Sequence, residues 1–529
     1  PLALELAAAR LASLAPAALL ARLTHRLVLL SRGPSHLPER QQTLRATLDW
    51  SYRLLDLDAQ AALATLAVFA GGWSLAAAAA LGRSLQPTGA ALDEISLLDL
   101  METLIEHHLI APQPGPEPRF GMLETVREYA LEQLDQRGWA AAAAAAHAAF
   151  FRDLALQAAA QFQGADNKLW REALVRDQDN LRLALAWFLA QADGGRGALE
   201  MANALQSFWT WHGARHEARQ WVEQALAHGQ GERTPARVAA LLNAGSLAVY
   251  MGDQGEAIAR FAAGLALCRE VSAPREEAML LINVGRIQGY RGDFPLACAL
   301  LEDALAISRT LDDRPHLAVT LRNFAGLLCG GLVDLERGLA LFAEGLVIAR
   351  ELTAGSYATA RLSVYLSDFG YYLALAGRFA EAAVLLAECD ALAERSEYTL
   401  ARVQSLYTLG RLALEQRDYP VACRLLRQSQ ELIGEMEAPL NQIWNTEGLA
   451  VVVAADAPAL AARLFASAAA ARREHQAELE PIELPAHELI LAELRERLGE
   501  PAFQSAWGAG LAWPIDQALA AALAAAPAE

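Results

Sequence analysis

Tyrosine and arginine residues recur at comparable positions along the second half of this chain, and both residue types are suited to binding chemistry. The set comprises Tyr250, Arg286, Tyr290, Arg322, Tyr371, Tyr407 and Arg411. A planar guanidinium pairs with a carboxylate through two parallel hydrogen bonds, and tyrosine and arginine are enriched among the residues that dominate binding energy. In a chain with a net charge of −18, they predict a site for an acidic or carboxylate-bearing partner. The alternative is that several of these tyrosines pack between structural repeats.

Residue patterns that would indicate catalysis are missing from the sequence. It contains no GxSxG, no HExxH and no Cys/His pattern of a catalytic or metal site. Lys168 is the only lysine and Leu169 follows it, so the phosphate loop GxxxxGK[ST] cannot occur. The five cysteines are spaced singly, which predicts small core residues in a reducing cytoplasm. We therefore expect a chain that is not an enzyme and carries no metal or cofactor of its own.

A motif of about forty residues repeats through the region that carries the tyrosines and arginines. Each copy has a small residue on one helix, and the set is Gly245, Gly285, Ala325, Gly370, Gly410 and Gly448, with separations of 40, 40, 45, 40 and 38 residues. An acidic residue follows in the turn, at Asp253, Asp293, Asp334, Asp418 and Asp456. A fixed period of this length indicates stacked helical hairpins, none of which buries its apolar face alone. The sequence thus predicts an α-solenoid.

Two copies preserve the pattern best. They are Asn243-Ala244-Gly245 followed by Tyr250-Met251-Gly252-Asp253, and Asn283-Val284-Gly285 followed by Tyr290-Arg291-Gly292-Asp293-Phe294. These copies resemble tetratricopeptide repeats in a slightly longer variant. In stacked hairpins the first helices line the concave surface, and counting from the small position places the seven tyrosines and arginines toward that groove.

The first 140 residues have a different pattern. Helical patterns cover residues 43–54 and 58–69, a shorter alanine-rich helix starts at Ser74, and a longer helix spans residues 92–108. Residues 109–111 and 120–122 flank a Pro/Gly loop, which predicts a β-hairpin. The predicted fold class is all-α, with a winged-helix domain bearing a small β-hairpin wing, followed by a tetratricopeptide-like α-solenoid.

Longer stretches make a family resemblance specific. The run from Pro38 to Tyr52, PERQQTLRATLDWSY, with LAVFAGG at Leu66–Gly72, is similar to the winged-helix segment of bacterial STAND-type signal-transduction ATPases and related large transcriptional regulators. Phe120–Ala130 resembles the end of that segment, and Pro1–Arg10 resembles a stretch of the helical lid. The resemblance implies that this chain is the carboxy-terminal part of a longer protein, whose ATPase core precedes Pro1 and binds ATP or ADP.

The same resemblance implies a switch interface at Met122, Leu123 and Glu124. In the family a Met-His-Asp motif lies here, and its histidine reaches a phosphate of ADP. Leu123 replaces that histidine and cannot hydrogen-bond a phosphate, whereas Glu124 can still contact the nucleotide-binding domain. The alternative is that Leu123 is simply a buried residue at the start of a helix.

Charge and hydropathy limit the other partners. The helix before the wing carries Asp93, Glu94, Asp99, Glu102 and Glu106 and no lysine or arginine, so it would repel phosphates, and we do not expect direct binding to nucleic acid. No run of about 18 apolar residues lacks a charge, so a membrane span is not expected. No signal peptide pattern opens the chain, and the expected location is cytoplasmic.

These observations give the following organisation. We predict a remnant of the ATPase helical lid at 1–37, a winged-helix domain at 38–138, a linking helical hairpin at 139–195, tetratricopeptide-like repeats at 196–475 and capping helices at 476–529. The glutamate-rich stretch Glu474–Glu483 is predicted to be a solvated helix end and loop.

The expected function is that of a sensor and regulatory segment of a STAND ATPase. The solenoid would bind a protein, peptide or small-molecule inducer, and the winged helix would transmit that event to the nucleotide-binding domain of its own parent chain. Two alternatives stay open, a stand-alone tetratricopeptide scaffold for protein interactions and a DNA-binding transcriptional regulator.

Overall fold

The computed structural model of the protein describes residues 44–85, 94–115, 117–161, 167–212, 214–352, 355–396, 399–434, 439–475 and 479–526. Over these residues the chain is all-α, with 25 helices and one small sheet. The chain divides into two compact units, the first comprising Pro1–Ala160, Lys168–Ala214 and Gln224–Gln230, and the second Gln161–Asn167, Arg215–Glu223 and Gly231–Glu529. The lid remnant predicted at 1–37 lies outside the described residues.

The first unit contains helices of 10 to 22 residues and a three-stranded sheet. Its elements up to residue 136 are α1 (Leu44–Arg53), α2 (Leu57–Leu66), β1 (Trp73–Ser74), α3 (Leu75–Leu85), α4 (Glu94–Glu106), β2 (Ala111–Gln113), β3 (Arg119–Gly121) and α5 (Glu124–Gln136). The elements that follow are α6 (Ala140–Gln161), α7 (Asn167–Arg176), α8 (Gln178–Ala190) and α9 (Gly195–His212).

The sheet has the order β1-β3-β2, and both pairs are antiparallel, with Phe120 opposite Trp73 on one side and Pro112 on the other. The strand β1 is an addition to the predicted hairpin. It forms because the Gly71-Gly72 turn brings the chain beside β3, where a Cβ at Gly72 would lie 2.8 Å from the carbonyl oxygen of Phe120. Glycine is therefore required at Gly72, whose φ is +111°.

A buried asparagine holds that turn in place. Asn180 is fully buried, its Oδ1 accepts from the amide of Ala70 at 2.8 Å, and its Nδ2 donates to the carbonyl of Gly72 at 2.8 Å. His147 lies 3.2 Å from the same Oδ1, and burial lowers the pKa of His147 to about 4. These hydrogen bonds satisfy polar groups that would otherwise be costly to bury.

The linking segment predicted as a helical hairpin at 139–195 is instead three helices, α6 to α8. The break between α7 and α8 occurs at Asp177, which is the N-cap residue of α8 but makes no side-chain cap bond. Its carboxylate is held by Arg119 of β3 through bonds of 2.8 and 3.1 Å, and both side chains are buried. The ion pair thus ties the sheet to this helix break within the first unit.

The second unit is an α-solenoid, as the sequence predicts. After α10 (Arg215–His228), five helical hairpins follow in order: α11 (Pro235–Tyr250) with α12 (Gln254–Val271), α13 (Pro274–Tyr290) with α14 (Phe294–Thr310), α15 (Arg314–Gly330) with α16 (Leu335–Glu351), α17 (Gly355–Leu375) with α18 (Phe379–Ser396), and α19 (Thr399–Glu415) with α20 (Tyr419–Ile433). The remaining helices are α21 (Pro439–Val453), α22 (Pro458–Glu474), α23 (Leu484–Leu498), α24 (Glu500–Leu511) and α25 (Ile515–Ala525).

The small residues of the repeat lie where the two helices of a hairpin cross. A Cβ on four of the five glycines would meet the side chain sixteen residues further along, and the closest distances are 2.3 Å for Gly245 to Phe261, 3.2 Å for Gly285 to Leu301, 2.7 Å for Gly370 to Leu386 and 3.1 Å for Gly410 to Leu426. Gly448 differs, because its Cβ would meet Leu426 of the preceding hairpin at 3.0 Å. A larger side chain would push the helices apart. The forty-residue period therefore reflects close helix packing.

The turn acids act as N-caps of the second helices. Asp253 accepts a hydrogen bond from the amide of Glu256 at 3.0 Å, and Asp293, Asp334 and Asp418 make the same contact in their own turns. Asp456 is an exception, because the N-cap of α22 is Ala457.

No helix among the described residues combines the length and apolarity needed to cross a bilayer.

Candidate functional site

The first helices of successive hairpins lie next to one another in the second unit, since α15 contacts α17 and α17 contacts α19. This arrangement brings three chain positions together that are far apart in sequence. They are the carbonyl of Gly330 at the end of α15, the hydroxyls of Tyr371 and Tyr372 on α17, and the guanidinium of Arg411 on α19. We call this set the carboxylate site.

The groups facing the carboxylate site belong to Leu479–Glu483, which we call the acidic segment. It forms a tight turn in which the amide of Glu483 donates to the carbonyl of Glu480 at 2.8 Å. The amide of Glu480 in turn donates to Oε2 of Glu483 at 3.0 Å. Pro481 occupies the second position of the turn, where its fixed φ is favourable. The turn presents two carboxylates and the side chain of Ile482.

Each carboxylate of the acidic segment accepts a tyrosine hydroxyl. Tyr371 donates to Oε1 of Glu483 at 2.6 Å, and Tyr372 donates to Oε2 and Oε1 of Glu480 at 3.0 and 3.1 Å. The amide of Ile482 donates to the carbonyl of Gly330 at 3.1 Å. The prediction of a solvated loop at Glu474–Glu483 is therefore wrong for its last residues, because Glu483 is only 8% exposed.

Gly330 is needed for this close approach. A Cβ at this position would lie 2.4 Å from Oε2 of Glu480, which is far below a van der Waals contact. Glycine here allows the carboxylate to approach the backbone of α15 directly. The absence of a side chain at Gly330 therefore makes room for the Glu480 carboxylate.

Burial and like charge act on the same carboxylate. Burial and the neighbouring Glu483 raise the pKa of Glu480 to about 7, and the hydrogen bond from Tyr372 only partly opposes this. Burial also raises the pKa values of Tyr371 and Tyr372 well above 10, with the nearby carboxylates acting in the same direction. Both hydroxyls are therefore neutral donors over the physiological pH range.

Arg411 supplies positive charge without a direct hydrogen bond to the acidic segment. Its Nη1 lies 3.9 Å from Oε1 of Glu483. Tyr407, one turn earlier on α19, hydrogen-bonds Arg411 and is 5% exposed, and its ring stacks on Trp444 with centroids 5.6 Å apart. Tyr407 therefore supports Arg411 from the core, which matches the packing role that the sequence left open for some tyrosines.

A cavity of about 170 Å³ adjoins the acidic segment. Its lining includes Tyr371, Thr408, Arg411, Glu415 and Ile482, together with apolar side chains of α17, α18 and α19. The acidic segment thus leaves space unfilled beside Ile482. This space could accept a larger apolar group at the position of that isoleucine.

The other predicted groove residues lie elsewhere on the solenoid. Tyr250 and Tyr290 are 64% and 62% exposed, and the guanidinium of Arg215 lies 5.7 Å from the ring centre of Tyr250. Arg286 is exposed, and electrostatic interaction with Tyr290 raises its pKa. These residues form an open surface on α11 and α13.

Arg322 is already neutralised within the chain. It forms an ion pair with Oδ2 of Asp368, whose other oxygen accepts from Gln404 at 3.3 Å. The structure therefore brings Tyr371, Tyr407 and Arg411 together, and it places Arg322 in a separate pair.

Among the described residues, no group of three or more His, Cys, Asp or Glu side chains is arranged to hold a metal ion. Four cysteines are buried as predicted, namely Cys268, Cys329, Cys389 and Cys423, while Cys298 is partly buried.

The residues predicted to form a switch interface lie in the first unit, at the start of α5. Leu123 is 71% exposed, so the alternative that it is a buried helix residue is wrong. Glu124 pairs with Arg127 at 3.0 Å, and Arg127 donates to the carbonyl of Phe69 at 2.6 Å. Met122 is partly buried. Leu123 thus lies exposed at the start of α5, and the contacts of Arg127 hold this end of the helix in place.

Sequence reasoning missed Tyr372, Glu480, Glu483 and Gly330. The signal for the acidic segment is the run LEPIELP at residues 479–485, where two prolines alternate with two glutamates and apolar residues. Two prolines in seven residues indicate a fixed turn and not a solvated helix end. No sequence pattern links this run to α17, because more than one hundred residues separate them.

No family model matches this sequence. The chain is 30% identical over 421 residues to a Mycobacterium tuberculosis protein provisionally named HTH-type transcriptional regulator Rv0890c. The matched region covers 77% of this chain and 46% of that protein. The chain therefore spans about half the length of the curated relatives it matches.

Two solved structures show a weak similarity to this chain. One is a STAND protein with a tetratricopeptide repeat sensor, PH0952 from Pyrococcus horikoshii, with 11% identity, a TM-score of 0.47 and coverage of 94% of this chain and 74% of that chain. The other is a Rap protein complexed with Competence and Sporulation Factor, with 14% identity, a TM-score of 0.47 and coverage of 71% and 99%. The second unit is an α-solenoid by the order and packing of its own helices, and the relatives that match over 421 residues are provisionally named HTH-type transcriptional regulators.

Proposed function

We propose that this chain is the sensor and regulatory segment of a STAND-type signal-transduction ATPase and has no enzymatic activity of its own. In this proposal the solenoid binds a partner at the carboxylate site. The first unit acts as a winged helix and transmits binding to the nucleotide-binding domain of the parent chain. ATP and ADP belong to that domain.

The observation that carries the proposal is the carboxylate site itself. Its groups come from three successive first helices of the solenoid, so they are held by packed secondary structure and not by a loop. Tyr371 and Arg411 are among the residues selected from the sequence for partner binding. Support for a regulatory role comes from the sequence similarity to a protein named as a transcriptional regulator and from the resemblance of Phe120–Ala130 to the STAND winged helix.

Transmission is assigned to Leu123 and its neighbours. An exposed leucine at a helix start braced by Arg127 is a suitable contact for another domain. A partner can shift a switch only by binding its two states with different affinity. In this proposal the two states differ in whether Leu123 contacts the nucleotide-binding domain. Partner binding to the solenoid shifts the equilibrium between them.

Direct DNA binding is not part of the proposal. The exposed side chains of α4 include Asp99, Glu102 and Glu106, and carboxylates facing a phosphate backbone oppose binding. In the longer protein, DNA recognition would fall to a separate domain.

The test uses the full-length protein that contains this chain. Leu123→Glu is compared with Leu57→Glu, since both leucines are exposed in the first unit, by 71% and 75% respectively. Both changes should leave thermal stability within about 0.5 kcal/mol. We expect Leu123→Glu to change the ATP turnover rate by about fivefold or more, the lower range of coupling between sites, and Leu57→Glu to leave it unchanged. Equal turnover in all three proteins would remove the regulatory proposal.

A further inference from the structure

The carboxylate site is filled by the chain's own acidic segment. Two tyrosine hydroxyls, one backbone carbonyl and one guanidinium all face groups of Leu479–Glu483. These are contacts of the kind a bound peptide makes, since they combine backbone and side-chain recognition. The contact lies entirely within the second unit.

We propose that the acidic segment is a built-in ligand mimic, and that the carboxylate site binds an acidic peptide segment of a partner protein in its place. The partner segment would present two carboxylates three residues apart, with a proline-stabilised turn and an apolar residue between them. This inference rests on the proposed function and adds the chemical class of the partner.

The geometry of the acidic segment makes it replaceable. It is a short turn held by hydrogen bonds from Tyr371 and Tyr372 and by one backbone bond to Gly330. Its two carboxylates repel each other, and Arg411, at 3.9 Å, compensates only Glu483. The adjoining cavity of about 170 Å³ is left unfilled. A partner segment with a larger apolar residue at the position of Ile482 would bury more surface and bind more tightly.

The chemistry favours a peptide over a small dicarboxylate. The carbonyl of Gly330 accepts a hydrogen bond from the backbone amide of Ile482, and a simple dicarboxylic acid has no such donor. The apolar lining beside Ile482 would also stay uncovered. Two carboxylates alone would thus accept hydrogen bonds from the two tyrosines, but they would leave the carbonyl of Gly330 without a donor and the cavity unoccupied.

The experiment opens the site without changing it. In the 529-residue chain, Glu480→Ala combined with Glu483→Ala removes the built-in carboxylates. Glu493→Ala combined with Glu496→Ala is the matched control, because it changes the net charge equally at two exposed positions of α23. The probe is a fluorescein-labelled peptide with the sequence of residues 479–485, and its affinity is measured by fluorescence anisotropy.

We expect the opened variant to bind the peptide at least tenfold more tightly than the unmodified chain, and the control variant to bind it no more tightly. A peptide in which only the second glutamate, the counterpart of Glu483, is replaced by glutamine should lose most of this gain, because Arg411 then lacks a carboxylate partner. Glutaric acid should not compete at concentrations near the peptide's Kd.

A second change tests whether binding occurs at the carboxylate site. Adding Gly330→Ala to the opened variant places a methyl group where the carboxylate would lie, so the gain should disappear. Adding Gly508→Ala should preserve the gain, because a Cβ at this helical position meets nothing within 4 Å. Both changes are compatible with helix formation.

Equal peptide affinity in the opened and control variants would overturn the inference, as would a gain that survives Gly330→Ala or full competition by glutaric acid. These outcomes are independent of the ATP turnover test. If peptide binding behaves as expected but Leu123→Glu leaves turnover unchanged, the partner site stands and the switch proposal fails.

Discussion

Replacing Glu480 with glutamine removes a charge from the interior of the carboxylate site while keeping an acceptor for the hydroxyl of Tyr372. In the docked segment the pKa of Glu480 is raised from the ordinary value of 4.5 to about 7. The docked state therefore holds a proton more tightly than the undocked state. Its advantage is fully present below about pH 4.5 and is lost as the pH rises through 7.

The size of the effect follows from the shift in pKa. A difference of about 2.5 units corresponds to about 3 kcal/mol, or on the order of 100-fold in the docking equilibrium, between pH 4.5 and pH 8. The titratable groups around Glu480 are Glu483, Asp368, Tyr371, Tyr372 and Cys329. Neither the two tyrosines nor Cys329 titrates in this range, because burial raises their pKa values, that of Cys329 to about 12.

Docking can be followed by hydrogen exchange of the Ile482 amide, which donates to the carbonyl of Gly330. After correction for the intrinsic exchange rate, protection in the unmodified chain should fall on the order of 100-fold from pH 5 to pH 8. Glu480→Gln should remove most of that slope and give the higher protection at pH 8. An unchanged slope in the glutamine variant, or no slope in the unmodified chain, would refute this reasoning.

Two further predictions concern the scaffold that positions the site. Gly245→Ala should destabilise the second unit by about 1–3 kcal/mol, because the added Cβ would lie 2.3 Å from the ring of Phe261, and a lowered melting temperature would report it. Asp177→Ala should destabilise the first unit by about 3–5 kcal/mol, since it leaves the buried Arg119 guanidinium without its partner. An unchanged unfolding transition in either variant would contradict the packing described for that position.

The architecture of the second unit was predictable because its determinants are local. A small residue at a helix crossing and an aspartate at a helix start each act within a single hairpin, so they recur with nearly the same spacing in most copies. Gly245 and Asp253 therefore identify the hairpin that contains them. The same regularity placed Tyr371 and Arg411 on neighbouring first helices, where the structure brings them together.

The contents of the carboxylate site were not predictable from such local rules. Glu483 reaches Tyr371 across 112 residues, and only the folded solenoid determines that separation in space. Composition suggested a solvated loop because glutamates are usually exposed. The short helix break at Asp177 was not predicted for a related reason. Asp177 pairs with Arg119, which lies 58 residues earlier in the sequence.

The most direct measurement is hydrogen exchange at the Ile482 amide of the unmodified chain during titration with the peptide of residues 479–485. If the peptide takes the place of the acidic segment, exchange at Ile482 should accelerate with peptide concentration and level off at the concentration where anisotropy shows saturation. Peptide binding that leaves the exchange rate of Ile482 unchanged would show that the carboxylate site is not where an acidic partner binds.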